Sequence, residues 1–282
     1  MTPHPARKRF GQHFLVDQHL IARIISFVGV RYDDPVVEIG PGLAALTAPL
    51  LARLAHLYVV EIDRELIARL RRQYAPERLT IYAADALTFD FARLAAEVGT
   101  PLRVVGNLPY NISTPLLFHL AAVAGGVCDM HLMLQKEVVE RMVAEPGNTT
   151  FGRLSVMLQY HFVIERLLDV PPEAFKPPPR VHSAVVRLFP RRAREISAID
   201  VTQFAALVAT AFAQRRKILR NSLRGLVGES HLAELGISQT ARAEDLSVAD
   251  YVRLANHVQR GPSCGGTQDA GPTRSDPDDR LP

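Results

Sequence analysis

The sequence predicts an α/β fold, a mostly parallel sheet flanked by helices, followed by a small all-α unit. Three observations carry this. β-rich runs alternate with helical runs through the first two thirds of the chain, Gly40-Pro41-Gly42 forms a tight turn between a strand pattern and a helix pattern, and from Ala198 onward the pattern is wholly helical. With 282 residues, 48% hydrophobic and 22% charged, the chain can bury one large core or two unequal ones.

The elements follow in order. Gln18 to Val28 reads as an amphipathic helix with Asp17 as N-cap. Strand patterns lie at Val36 to Ile39, Leu57 to Ile62, Leu79 to Ala83, Leu102 to Gly106 and Met130 to Gln135. Helical patterns separate them at Leu43 to Leu54, Arg64 to Tyr74, Phe91 to Val98 and Thr114 to Ala124. After a helix at Glu137 to Ala144, Ser155 to Val163 and Ala184 to Phe189 read as two further strands. The helical unit has Val201 to Phe212, Arg216 to Leu226, Leu232 to Leu235 and Val248 to Val258. The expected division is residues 1–190, residues 191–260 and a disordered tail, 261–282, rich in Gly, Pro, Ser, Thr and Asp.

Composition excludes several classes. The longest stretch free of Asp, Glu, Lys and Arg, Val104 to Cys128, is interrupted by Asn107, Pro109, Asn111, Pro115 and His119, which does not suit a membrane span. Arg7, Lys8 and Arg9 lead into no apolar run or cleavage pattern, and Cys128 and Cys264 alone give neither a disulfide framework nor a four-ligand metal spacing. A soluble cytoplasmic protein with no metal and no membrane partner is expected, with Cys128 as a buried apolar filler. The net charge is +4, but residues 191–224 carry 8 basic against 2 acidic side chains, a local surplus suited to a polyanion.

Chemistry-bearing residues fall at strand ends. Gly40 and Gly42 allow a ligand to approach backbone without meeting a Cβ, and Glu61, 21 residues after Gly40, can accept both hydroxyls of a ribose. A nucleoside-containing cofactor is indicated, and a nicotinamide oxidoreductase fits these residues as well. Asp85, after the third strand, either accepts from an adenine amine or caps the following turn. Asn107-Leu108-Pro109-Tyr110, after the fourth strand, offers an amide oxygen and a proline-stiffened carbonyl to one amino group, with Tyr110 as a stacking face. Two acceptors on the hydrogens of adenine N6 favour its pyramidal, attacking form. The alternative is an ordinary proline turn with a half-buried tyrosine.

Arg7 to Leu15, Glu38 to Leu46, Asn107 to Pro115, Leu134 to Val139 and Phe175-Lys176-Pro177-Pro178-Pro179-Arg180-Val181 together strongly resemble the bacterial small-subunit rRNA adenine dimethyltransferases (KsgA/RsmA type), over roughly residues 7 to 260. The resemblance implies a class I S-adenosylmethionine-dependent methyltransferase domain, Rossmann-like with a mostly parallel seven-stranded sheet, and a small helical domain. It implies SAM-dependent N6,N6-dimethylation of two adjacent adenosines near the 3′ end of 16S rRNA during small-subunit biogenesis, by a monomer. It carries cofactor contacts onto His13, Leu15, Gly40, Glu61, Asp85 and Asn107, and the catalytic loop onto Asn107, Leu108, Pro109 and Tyr110. Phe175 matches a second aromatic packed on the target base. The family often has Asn at the position of His13, which makes a backbone contact there the safer expectation, and often Gly at the position of Ala44, which here requires an ordinary backbone angle. A large-subunit adenine methyltransferase of the macrolide-resistance type shares the catalytic elements, but Asn111 to Pro115 and Gln214 to Leu223 favour the small-subunit branch. Arg216, Lys217, Arg220 and Arg224 are the expected rRNA contacts, with Lys217, Arg220 and Arg224 sharing one helix face.

Overall fold

The computed structural model describes residues 12–191 and 197–260, so Arg7, Lys8, Arg9, Cys264 and the 261–282 tail lie outside the described residues. The chain first forms β1 (Phe14–Leu15), α1 (Gln18–Val28), β2 (Val36–Ile39), α2 (Thr47–Leu51), β3 (Leu57–Glu61), α3 (Arg64–Gln73), β4 (Leu79–Ala83), α4 (Phe91–Val98), β5 (Leu102–Asn107) and α5 (Ser113–Ala122). It continues through β6 (Val127–Gln135), α6 (Lys136–Val143), α7 (Arg153–His161), β7 (Phe162–Val170), β8 (Phe175–Lys176) and β9 (Ser183–Pro190). The last helices are α8 (Val201–Ala213), α9 (Leu219–Ser222), α10 (Glu229–Glu234) and α11 (Val248–Arg260).

Seven strands form one sheet in the order β4-β3-β2-β5-β6-β9-β7, parallel from β4 to β6 and antiparallel at β6–β9 and β9–β7. Strand alternation divides the core. Val37, Ile39, Val104, Leu132 and Leu134 meet α4 and α5 through Phe91, Leu94, Leu116 and Leu120 on one face. On the other, Val36, Val59, Val105 and Met133 meet α1 and α2 through Ile21, Ile25 and Leu50. Each such fully buried side chain contributes about 1.5–3 kcal/mol. α1 begins where Asp17 accepts from the Leu20 amide at 3.0 Å and ends at left-handed Gly29, whose N–H returns to Ile25 O.

Four local expectations are corrected. The helix read from Leu43 is confined to Thr47–Leu51, because the chain first loops through left-handed Gly40, Gly42 and Ala44. Ser155 to Val163 is mainly helix α7, and β7 follows it. This helix packs Leu158 on the sheet core and Val156 and Met157 on the C-terminal helices, so no polar face marks its period. Arg216 to Leu226 is not one helix: extended Ile218 bridges Arg242 and the Leu219 amide donates to Ala241 O, leaving only the single turn α9. Cys128 is exposed rather than buried, since β6 starts at Val127 and alternation turns its second residue outward.

The C-terminal helices do not close their core alone. Phe204, Leu207, Leu219, Leu246, Tyr251 and Leu254 share one cluster with Ala144, Phe151, Val156 and Met157. Among the described residues no helix is long and apolar enough to cross a membrane, and no group of three His, Cys, Asp or Glu side chains is placed to hold a metal ion.

Candidate active site

Strand order reverses between β2 and β5, because β3 and β4 lie on one side of this pair and β6 on the other. In open α/β sheets the crevice outside the carboxyl ends of such strands is where ligands bind. A pocket opens there. Its lining includes His13, Leu15, Gly40, Glu61, Asp85 and Asn107, which the family resemblance assigns to the cofactor, and Leu108, Pro109 and Tyr110 of the expected catalytic loop.

The glycine turn is shaped by close approach. Gly40 and Gly42 have φ of +68° and +57°, and a Cβ on Gly42 would stand 3.2 Å from the Phe14 ring. Ala44 departs from the ordinary angle expected of it, with φ +69°, because its N–H closes a 2.8 Å turn on Pro41 O. The left-handed region costs an L-residue about 1–2 kcal/mol, and burial of its methyl offsets about 0.8 kcal/mol.

Glu61 ends β3 and is buried. Its Oε1 accepts from the Ile62 and Asp63 amides, both at 2.9 Å, and Oε2 from the Gly42 amide at 3.4 Å. Burial pushes its carboxyl above the ordinary range, and the three amides counter part of that shift. Asp85 caps the following turn, Oδ1 accepting from the Leu87 amide at 2.9 Å, and the residue lines the pocket. A strap crosses the pocket's edge. Gln12 Nε2 donates to Asp63 Oδ2, and β1 pairs with β8, setting Phe14 against Lys176 and Leu15 against Phe175. The strap's His13 carbonyl accepts from Asn107 Nδ2 at 3.0 Å, which fixes the orientation of that amide.

In the expected catalytic loop the Pro109 carbonyl is already engaged, accepting from the Ile112 amide at 3.2 Å and Ser113 Oγ at 3.0 Å. The Leu108 amide donates to Met133 O, which holds the start of the loop to β6. Gly106, just before it, has no room for a side chain, because a Cβ would lie 2.9 Å from Ile39 O and 2.8 Å from Leu108 Cδ2. No strand-pattern reading marks this glycine; only the packing of β5 against β2 does.

Two expected roles are corrected. Phe175 is 2% exposed, packed with Leu15, Val170, Ala174 and Val185, and does not line the pocket. Its pairing with Leu15 turns the ring into the core, so in this structure it offers the pocket no stacking face. Lys217, Arg220 and Arg224 do not share a helix face, since Lys217 precedes α9 and Arg224 follows it, although Arg216, Lys217 and Arg224 are exposed. Arg215 is instead structural, donating to Thr149 O, Phe151 O and Glu244 Oε2.

Sequence reasoning passed over Glu38 as a titrating group. It is fully buried beside the pocket, and burial, with the Glu61 charge adding to it, pushes its carboxyl up to about 8 against the 2.7 Å bond from Thr47 Oγ1. The folded chain therefore keeps a proton that the unfolded chain releases, and stability falls as pH rises from about 4.5 to about 8. The Glu38→Gln variant lacks this dependence. Its melting temperature relative to the parent is expected to rise through that interval, and a constant difference would show that Glu38 is ionised in the fold.

The family model described as ribosomal RNA adenine dimethylase matches residues 3–260. The chain belongs to the ribosomal RNA adenine dimethylase family. It is 61% identical over 258 residues to the ribosomal RNA small subunit methyltransferase A of Dechloromonas aromatica (strain RCB), covering 92% of this chain and 100% of that one. Its identity to the protein of the same name from Chromobacterium violaceum is 58%, covering 92% and 97%. Among solved structures, a dimethyladenosine transferase from Plasmodium falciparum shares the fold with a TM-score of 0.75, at 24% identity and covering 88% and 98% of the two chains. The 23S rRNA methyltransferase ErmE is similar with a TM-score of 0.66, at 26% identity and covering 87% and 99%. This rRNA adenine dimethylase is thus a class I methyltransferase, with S-adenosylmethionine as its methyl donor.

Proposed function

We propose that this enzyme transfers methyl groups to the N6 amines of two adjacent adenosines near the 3′ end of 16S rRNA in the small ribosomal subunit, two to each, acting as a cytoplasmic monomer. The observation that carries the reading is the Asn107 amide, tied by Nδ2 to the strap and lining the pocket at the switch point together with Leu108, Pro109 and Tyr110. The small-subunit assignment is supported by the name shared by relatives 61% and 58% identical.

The pocket suits S-adenosylmethionine: a glycine turn where a Cβ on Gly42 would crowd Phe14, a buried carboxylate at the end of β3, a second carboxylate after β4, and half-exposed Ile62 as an apolar wall. Glu61 would accept from the ribose hydroxyls, Asp85 from the adenine amine, and the turn from Gly40 with the His13 and Leu15 backbone would hold the methionine end. When bound, the cofactor supplies an electrophilic methyl on a sulfonium sulfur. Asn107 Oδ1 and the Leu108 carbonyl accept the two hydrogens of the target amine and direct its lone pair toward that methyl, while Pro109 stiffens the loop and Tyr110 stacks on the base. With Pro109 O occupied, Leu108 O is the backbone acceptor. The amine proton becomes acidic as the carbon–nitrogen bond forms, so no base of shifted pKa is needed. A monomethylated amine keeps one N–H for one of the two acceptors, which permits the second transfer. The target base must leave its stack, and Arg216, Lys217, Arg220 and Arg224 would hold the RNA by its phosphates.

Incubation with labelled S-adenosylmethionine and either unmethylated small subunits or large subunits tests the reading. Label is expected in small-subunit rRNA, and label confined to large-subunit rRNA would overturn it.

A further inference from the structure

With Phe175 buried, the aromatic partner of Tyr110 is a ring the sequence did not single out for stacking. The His13 imidazole lies on the Tyr110 ring, centroids 5.6 Å apart and planes inclined by 25°. This is direct contact for stacked rings. A base inserted between them would need two contacts of about 3.5 Å, or about 7 Å in all, so this face of Tyr110 is closed. The imidazole is itself fixed, because Nδ1–H donates to Pro177 O at 2.8 Å and the same residue's carbonyl holds Asn107. At the other end of the phenol, the hydroxyls of Tyr110 and Ser183 are hydrogen-bonded at 2.5 Å. Ser183 is fully buried at the start of β9, paired with Gln135 on one side and Val170 on the other. It gives the phenol an anchor that belongs to the sheet and not to the loop.

We infer that His13 and Ser183 are positioning residues that clamp Tyr110 into a platform with one open face, and so set the angle at which the target base meets Asn107 Oδ1 and Leu108 O. The inference rests on the reading above that the base is presented at Asn107 to Tyr110. It gives the strap a second duty: closing one side of the ring directs the base to the side from which the amine can be held. In-line transfer is sensitive to such placement, since misplacement by about 1 Å can cost a hundredfold in rate. A residue without a ring at position 13 would leave both faces of Tyr110 open.

The test is a double-mutant cycle on Ser183→Ala and Tyr110→Phe, read as the single-turnover methylation rate on unmethylated small subunits at saturating S-adenosylmethionine. Calorimetric cofactor affinity and thermal melting are measured alongside. Ser183→Ala alone is expected to slow transfer about five- to tenfold, the size of one lost neutral hydrogen bond, with cofactor affinity within about twofold. Added to Tyr110→Phe, the same change should alter the rate by less than about twofold, because the hydroxyl it served is gone. Equal losses in both backgrounds would show that Ser183 acts through packing alone and would overturn the clamp. For the other jaw, His13→Ala should slow transfer and His13→Phe, which keeps the stack, should recover most of it; no slowing, or no recovery, overturns the role of the ring. Failure of the underlying reading has a different signature, label outside small-subunit rRNA with the parent enzyme. Failure of the clamp alone leaves that label in place and the cycle additive.

Discussion

Replacing Asn107 by alanine is expected to lower the methylation rate by about a hundredfold or more. The removed amide oxygen acts on the amine as it attacks, and loss of a single preorganised hydrogen-bonding group at an oxyanion hole has an effect of that size. The structure adds a smaller second effect, because Asn107 Nδ2 also ties down the His13 carbonyl of the strap. Cofactor affinity should therefore weaken by about fivefold, as one neutral hydrogen bond is lost. Asn107→Asp separates the two contributions, since it keeps an acceptor and loses the tie, and its rate should fall between parent and alanine variant. Single-turnover rates and calorimetry decide the matter. A near-parental rate for Asn107→Ala would remove Asn107 from the chemistry.

At the opposite edge of the sheet, Arg103→Met is expected to destabilise the fold by about 3–5 kcal/mol, the usual range when one partner of a buried ion pair is removed. Arg103 Nε and Nη2 grip both oxygens of Asp129, at 2.9 and 2.7 Å, and Nη1 reaches Asp34 at 2.6 Å. Nη2 also donates to Val28 O, joining β5 and β6 to the end of α1. The side chains of Arg103 and Asp129 are 13% and 7% exposed, so methionine would leave a carboxylate buried without its guanidinium. Burial works against the charge of Asp34, but the Arg31 amide and Arg103 together hold its carboxyl below the ordinary range. For a chain of this size the melting temperature should drop by roughly 10 °C. Asp129→Asn in the same chain should recover part of the loss. A drop under about 1 kcal/mol would mean that the network is solvated.

How much of this was legible depended on what each residue packs against. β2 and β4 coincide with their sequence patterns because each is a short apolar run between turn signals, and α1 because one polar face and Asp17 mark it. Helix α7 was hidden by burial on two sides, and the break at Ile218 by a bridge to Arg242, distant in sequence. In the site, Gly40, Glu61, Asp85 and Asn107 were legible as residues at or just beyond the ends of parallel strands that must finish at one edge. The burial of Phe175 was not, because its two-residue pairing with Leu15 spans most of the domain and no local pattern fixes which way its ring turns. The stack of His13 on Tyr110 depends on the same pairing, and the tie between Tyr110 and Ser183 joins a loop to a strand 73 residues later.

The central claim is that Asn107 Oδ1 and the Leu108 carbonyl select an exocyclic amine by accepting its two hydrogens. It is tested most directly by identifying the methylated atom. Unmethylated small subunits are reacted with labelled S-adenosylmethionine, the rRNA is digested to nucleosides, and the labelled nucleoside is identified by chromatography and mass spectrometry. All label is predicted in N6,N6-dimethyladenosine at completion, with N6-methyladenosine as the only earlier product. Label on a ring atom of adenine, on ribose or on guanosine would contradict the account.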